Sequence, residues 1–381
     1  MDSPRLAVHI VETRTGRVVH NEMPVMVVPD CNRSINDDST IQIQIAVGDR
    51  GVPEAGTLRQ LISNWRFSIA VSYGPSVVGS PILSYGPIMA HKFDDTSGVL
   101  TVGAGSMWAL LARRLLLNPL GVVSSPLSMD EAMDAKYLGM TLWGIARELV
   151  DDTLSRGTGF ELPIDLPSPS VGEHDRNYPV YDLATVGQRV KDLTQVEAGP
   201  DIDWNPYFSD SGMVRVAMRT GTPSLTQIGQ DLIWDYGSSI TTCTVDNNAA
   251  SMATDVFGRG NATERASQVA WASNRDLVPL GWPVLETVDT SHQSVEVFDT
   301  LQSHANEWVR FYRNAVETWE AEVKADAAPM LGTYLPGDSG LFNMQSHAWI
   351  PKGLYRQRIL GWSLSGPQRV KLLLEATEGA A

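Results

Sequence analysis

Cysteine is nearly absent from this chain. Its 381 residues hold two, Cys31 and Cys243, with neither CxxC nor Cys/His ligand spacing around either. That excludes a disulfide framework and a thiolate zinc site, so both read as reduced, structural thiols. Histidine is sparse as well. The seven residues are scattered, no HExxH or HxH occurs, and His9 and His20 fall on different expected strands, so a zinc site has no support. Positive charge is short: 29 Lys and Arg against 44 Asp and Glu leave a net charge of −15. Such a surface repels phosphate backbones and argues against nucleic-acid binding, while it suits solubility or a basic partner. Long hydrophobic runs are missing too. The best candidate, 107–117, is interrupted by Arg113-Arg114, and nothing reaches the ~18 apolar residues of a membrane span. The opening MDSPRLAVHI lacks the basic start and apolar core of a secretory signal, so synthesis in a cytoplasm is expected. No internal repeat is visible, which excludes a solenoid.

What the chain does have is length, β patterning and tryptophan. A hydrophobic content of 43% and a mean hydropathy of −0.11 are those of a globular protein. The length exceeds one ordinary core, so about two to four domains are expected. Residues 5–12, 17–20 and 23–28 read as short strands. Ile41-Gln42-Ile43-Gln44-Ile45 alternates cleanly, and 65–71, 77–90 and 99–102 extend the pattern into a β domain. Helical spacing follows. Ser106 is positioned to cap 107–117. Ser128-Met129-Asp130-Glu131 has the form of a capping box and is expected to open a helix running to about Leu154. Residues 157–181, rich in Pro and Gly, read as a long loop, and Thr185 caps a helix to about Glu197. Hairpins are expected at 201–219 and at 240–257. A helix follows from Asp299 to Arg313, with Leu301, Ala305, Trp308 and Tyr312 on one face.

The last stretch is the most regular. Trp319, Ala321 and Val323 alternate with Glu320, Glu322 and Lys324. Pro336-Gly337-Asp338 turns the chain into Leu341, Phe342 and Met344. Ile359 to Leu364 and Val370 to Leu374 complete four short antiparallel strands, the pattern of a small barrel or sandwich.

Several residue sets resemble active-site chemistry, and each has a simpler reading. Gly337-Asp338-Ser339-Gly340 matches part of a serine-protease motif, but Leu341 replaces its last glycine and His91 is a poor candidate base. Gly103-Ala104-Gly105 lies between a strand and a helix, with Trp108 where the third glycine of a dinucleotide loop belongs. Carboxylate pairs occur at Asp151-Asp152, Asp201/Asp203 and Glu320/Glu322, and Glu161 and Asp165 lie in the long loop. A hydrolase needs two carboxyls across one cleft, whereas alternation in a strand puts Asp201 and Asp203, like Glu320 and Glu322, toward solvent. No catalytic, cofactor-binding or metal-binding residue is therefore assigned. Of the eleven tryptophans, Trp65, Trp204, Trp271, Trp282, Trp319 and Trp362 fall in or beside strands and read as core or interface. Trp349-Ile350-Pro351 lies in a long tip loop and is the candidate interface: Trp349, Ile350 and Pro351.

The order of motifs carries a resemblance. Gly199-Pro200-Asp201-Ile202-Asp203-Trp204 lies mid-chain and Gly281-Trp282-Pro283-Val284-Leu285-Glu286 precedes the last helix. The end holds LGTY, PGD, a tip with Pro-Lys-Gly-Leu, RILGWS and VKLLLE. Together these resemble the baseplate hub, or minor tail, proteins of long-tailed (siphovirus-type) phages, especially those of actinobacteria. The resemblance implies a multi-domain, β-rich α+β tail-hub fold with two small β-barrels flanking an α/β middle. Its segments would be 1–105, 106–238, 239–313 and 314–381. It implies a virion structural protein without enzymatic activity or cofactor. That protein would be a homotrimeric ring at the tail tip that connects the distal tail protein to the central tip and encloses a DNA channel. Its partners would be further copies of itself, the distal tail protein, the tape measure protein and other tail-tip or fibre proteins. A tail-associated cell-wall hydrolase and a receptor-binding tail module remain the alternatives.

Overall fold

The computed structural model describes residues 4–76, 79–117, 130–227, 231–260, 268–291, 295 and 297–376. The chain opens with strands β1 (Arg5–Glu12), β2 (Val18–His20), β3 (Asp30–Ser34), β4 (Ile41–Ala46), β5 (Phe67–Gly74), β6 (Ile82–Asp94) and β7 (Val99–Ala104). A short helix, α1 (Ala55–Leu61), joins β4 to β5. In β4 the alternation holds: Ile41, Ile43 and Ile45 are buried and Gln42 is exposed. Residues 23–28 form no strand. Pro24 and Pro29 lack the N–H groups a ladder needs.

β5 is buried along its whole length, and its sequence shows how. Ile69, Val71 and Tyr73 enter one core, while the small Ala70 enters another. Its serines are satisfied by β1 and the residue after it: Ser68 Oγ lies 2.8 Å from Thr13 Oγ1, and Ser72 Oγ lies 2.9 Å from His9 Nε2. Alternating large and small residues let one strand form the middle layer of a sandwich.

The middle of the chain holds α2 (Met107–Leu111), β8 (Ala135–Met140), α3 (Leu142–Leu154), β9 (Ile164–Asp165), β10 (His174–Tyr178), α4 (Val186–Thr194), β11 (Ile202–Phe208) and β12 (Val214–Thr220). Two caps are as the sequence suggests. Ser106 Oγ accepts from Trp108 N, and Thr185 Oγ1 accepts from Gln188 N. The helix expected from Asp130 is different. Ser128 and Met129 lie outside the described residues, Ala135–Met140 is strand, and α3 begins after Thr141, whose Oγ1 accepts from Gly144 N. Gly139 at φ +64° breaks any helix there. The expected loop at 157–181 contains β9 and β10; β10 pairs with β8. The hairpin of β11 and β12 pairs from Ile202↔Thr220 to Phe208↔Val214, as expected.

The remainder comprises β13 (Leu232–Asp235), β14 (Ile240–Asn248), β15 (Asp255–Arg259), β16 (Val269–Ser273), β17 (Glu286–Asp289), α5 (Phe298–Tyr312), β18 (Val316–Lys324), β19 (Ser339–Met344), β20 (Gly353–Gly366) and β21 (Arg369–Ala376). The expected hairpin at 240–257 does not form. β14 pairs with β18, while β15 pairs with β16 and β17. Alternation marks a strand but does not choose its partner.

The terminal β segments meet. One sheet runs β14-β18-β21-β20-β3-β4-β7-β6-β5-β1-β2, with β19 on β20 and β13 on β19. Among the described residues this is an open path, and the ladders close no barrel. A single apolar core runs along it from Val8 and Ile43 to Trp362 and Leu374. A second core lies under β5 and β6 and takes Leu149 of α3, Val190 of α4 and Trp204 of β11. A third, small and alanine-rich, lies between α5 and the sheet of β15, β16 and β17. No helix among the described residues is long and apolar enough to cross a membrane.

Candidate functional site

The strand β11 passes beneath both terminal β segments, and there the structure corrects the sequence reading. Asp201 and Asp203 do not face solvent. They are 8% and 1% exposed. Ile202 and Trp204 point into the second core, so the alternate side chains face the junction.

That junction is built of charge. Arg33 of β3 grips Asp203 with Nε at 2.8 Å and Nη2 at 2.5 Å, and its Nη2 also donates to Asn205 at 3.0 Å. Arg219 of β12 donates to the same carboxylate at 2.8 Å and to the Pro336 carbonyl at 2.9 Å. Asp201 accepts from Leu225 N at 2.8 Å, from Asn36 Nδ2 at 3.1 Å and from Arg358 of β20. Asp338, in the Pro-Gly-Asp turn, caps Leu335 N and lies 3.6 Å from Arg219; burial pushes its carboxyl above the usual range. β3, the β11/β12 hairpin, β20 and the 336–338 turn thus share one set of paired groups. A cleft of about 910 Å³ opens beside it, walled by Ser80, Tyr207, Arg219, Thr222, Tyr334 and Trp362.

This arrangement accounts for the tempting motifs. Asp338 of the Gly-Asp-Ser-Gly run is a turn carboxylate, while His91 is exposed on β6 and bonded to Asn64. A Cβ on Gly105 would stand 2.9 Å from Ala109 Cβ and 3.1 Å from Met89 Sδ, so close packing explains that glycine. The other carboxylates are also held. Asp165 accepts from Arg215 and Tyr207, Asp151 from Arg147, Asp152 from Tyr137, Glu320 from Lys371 and Glu322 from Arg369. Glu161 accepts from Gly159 N. Both thiols are free. Burial pushes Cys31 up and Cys243 up to about 11, so neither is a thiolate near neutrality. Among the described residues no His, Cys, Asp and Glu cluster suits a metal ion.

Among the exposed apolar side chains of the described residues, two groups carry tryptophan on well-supported backbone. The first is the tip between β19 and β20. His347 Nδ1 accepts from both Trp349 N and Ile350 N, so Nε2 carries the proton and donates to the Cys243 carbonyl at 3.0 Å. Ile350 is thereby drawn into the main core, Pro351 stays exposed, and Trp349 stands 80% exposed on a turn fixed from both sides. The second surface had no distinct signal in the sequence. Ala270 and Ala272 of β16 face α5, which leaves Val269, Trp271 and Val288 exposed on the other face of that sheet. Leu280, Trp282 and Val284, in the connection before β17, are exposed as well.

The same small sheet carries a pH-sensitive contact. Arg275 clasps the buried Asp255 at 2.9 and 3.0 Å, with Trp271 Nε1 at 3.3 Å, and holds its carboxyl down at about 2. The folded value lies below the ordinary one near 3.8. This contribution to stability is therefore present above about pH 4 and lost as pH falls toward 2. Arg275→Gln is expected to move the acid-unfolding midpoint, followed by tryptophan fluorescence, to higher pH. An unmoved midpoint would show that the pair carries no stability.

No protein-family profile and no curated protein matches this sequence. Solved structures do. The tail protein from Neisseria meningitidis MC58 aligns with TM-score 0.51 at 13% identity, over 99% of this chain and 98% of that one. The 43 kDa tail protein of prophage MuSo2 from Shewanella oneidensis aligns with TM-score 0.55 at 10% identity, over 98% of each. This chain has the fold of those tail proteins. A prophage tail protein from Listeria monocytogenes EGD-e aligns with TM-score 0.50 at 10% identity, over 98% of this chain and 95% of that one. The alignments take in nearly the whole of this chain.

Proposed function

We propose that this chain is a structural subunit of a phage tail tip, the baseplate hub of a siphovirus-type phage of actinobacteria. One observation carries the reading: the fold matches tail proteins from end to end, over nearly the whole length of each partner. The apolar surfaces fit a protein that works by packing, because exposed tryptophans on rigid supports are anchors for association. In this reading the segments 1–105, 106–238, 239–313 and 314–381 act as units. The terminal two behave as barrel-like counterparts, and three copies close a ring through heterologous contacts. The ring joins the distal tail protein to the central tip, surrounds the DNA channel, meets the tape measure protein and seats other tail-tip or fibre proteins. It is made in the host cytoplasm and functions in the virion without turnover.

Mass photometry of the purified chain, alone and with the products of its flanking genes, tests this. A trimer is expected. Trp349→Ser and Trp271→Ser should each weaken association about tenfold or more, the effect of removing a buried aromatic anchor. A chain that stays monomeric with every flanking product would overturn the ring. So would electron cryomicroscopy of tails showing it spread along the tube.

A further inference from the structure

In a chain of net charge −15, most arginines in the structured parts sit in ion pairs. Arg114 and Arg156 do not. Their guanidinium carbons lie 4.8 and 5.1 Å from the centroid of the same ring, Phe160, which puts the two like charges within about 10 Å of each other. Arg156 donates one Nη2 bond to the Leu115 carbonyl, and its Nε is buried without a partner. Arg114 makes no ion pair and no side-chain hydrogen bond among the described residues. Arg113 beside it is exposed.

The neighbouring acids Asp152 and Glu161 act on this pair through space, but among the described residues neither makes an ion pair with it. Asp152 is engaged with the Tyr137 hydroxyl at 2.6 Å. Glu161 is exposed, accepts from Gly159 N at 2.7 Å, and is shared between the fields of Arg14 and Arg114. Residues 118–129, which follow in sequence, contain no Asp or Glu. Burial pulls both guanidinium groups below their ordinary range, and the charge of Arg114 lowers Arg156 further, so the fold holds two partly desolvated cations on one ring. Stacking on a ring engages the face of a guanidinium and leaves its in-plane N–H donors available.

We propose that Arg114, Arg156 and Phe160 form a docking point for an acidic peptide segment of a partner protein. A carboxylate placed between the two guanidiniums takes charge-assisted hydrogen bonds from both, and its methylenes rest on the phenyl ring. A long phosphodiester chain fits less well. It would have to continue over a surface whose net charge is −15, whereas a short carboxylate segment reaches only the arginines. The proposal rests on this geometry and not on the tail-tip reading.

The test is titration of the full chain with fluorescein-labelled hexaglutamate, read by anisotropy. Binding is expected at about 50 mM salt and should weaken at least tenfold by about 300 mM, as for a contact between partly exposed charges. Arg114→Gln and Arg156→Gln should each weaken it several-fold and the pair of changes more than tenfold. Arg59→Gln, on the exposed face of α1, should leave it unchanged. Thermal unfolding confirms that each variant folds; if Arg156→Gln does not, Arg114→Gln alone decides. Absence of hexaglutamate binding, or binding that survives the loss of Arg114, overturns the proposal. So does a duplex oligonucleotide that binds at the same residues more tightly than the peptide.

Discussion

Asp203→Asn is expected to destabilise the protein by about 3–5 kcal/mol, the loss seen when one member of a buried ion pair is removed. The carboxylate is 1% exposed and Arg33 is 4% exposed. With the charge gone, Arg33 remains buried and uncompensated, and Arg219 loses its shortest contact with an acid. Replacing Arg33 by Met and Asp203 by Leu together should cost less, because Arg33 is then not stranded and the more exposed Arg219 keeps its bond to the Pro336 carbonyl. Urea unfolding of both single variants and the double gives the coupling energy directly. A single-variant loss under about 1 kcal/mol would show that the junction is held by apolar contacts and that the charges are incidental.

The second large effect belongs to Trp234. This side chain is fully buried, stacked on Phe342 at 5.0 Å and edge-on to Tyr334 at 5.4 Å. Trp234→Ala should destabilise the protein by about 3–5 kcal/mol, the range for emptying a buried aromatic site. The site is tightly enclosed. A Cβ on Gly340 would stand 2.3 Å from the indole, so Gly340→Ala should move in the same direction by crowding where the first variant leaves a void. Trp234 belongs to β13, a short strand that among the described residues joins the C-terminal sheet by pairing with β19 alone. Hydrogen exchange in Trp234→Ala should therefore accelerate first at 232–235, with β21 still protected. Uniform acceleration would mean that β13 is not a separable element.

Local periodicity was legible wherever neighbours in sequence decide the structure. The isoleucines of β4, the valines of α4 and the four strands from β18 to β21 follow from alternation, helical spacing and turn residues. It misled where a distant partner decides. Asp201 and Asp203 read as solvent-facing because an alternating strand gives no sign that Arg33, 170 positions upstream of Asp203, covers that side. Tyr137 reads equally as helix or strand until its hydroxyl meets Asp152 and Gly139 turns left-handed. β14 ends in Asp246-Asn247-Asn248, which looks like a turn, yet these residues pair with β18. Trp349 was visible because an aromatic in a tip loop is out of place. The sheet face with Trp271 was not, because alternating Trp and Ala fit a core equally well until α5 is seen to cover only the alanine side. The arginines on Phe160 were also missed. Arg113-Arg114 served only as a break in an apolar run, and nothing in the spacing brings Arg156 to it.

The join between β20 and β3 rests on three residue pairs: Gly361 with Ser34, Trp362 with Arg33 and Ser363 with Asn32. On the ribosome, β3 is made early, yet the strand that completes its outer edge appears only after more than 300 further residues. Throughout that interval the nascent chain carries an open flank able to accept the wrong strand, including one from a neighbouring polysome. Slower translation lengthens that interval and should therefore lower the soluble yield. Fragments that stop short of Gly361 should precipitate, even though most of their residues match the intact protein.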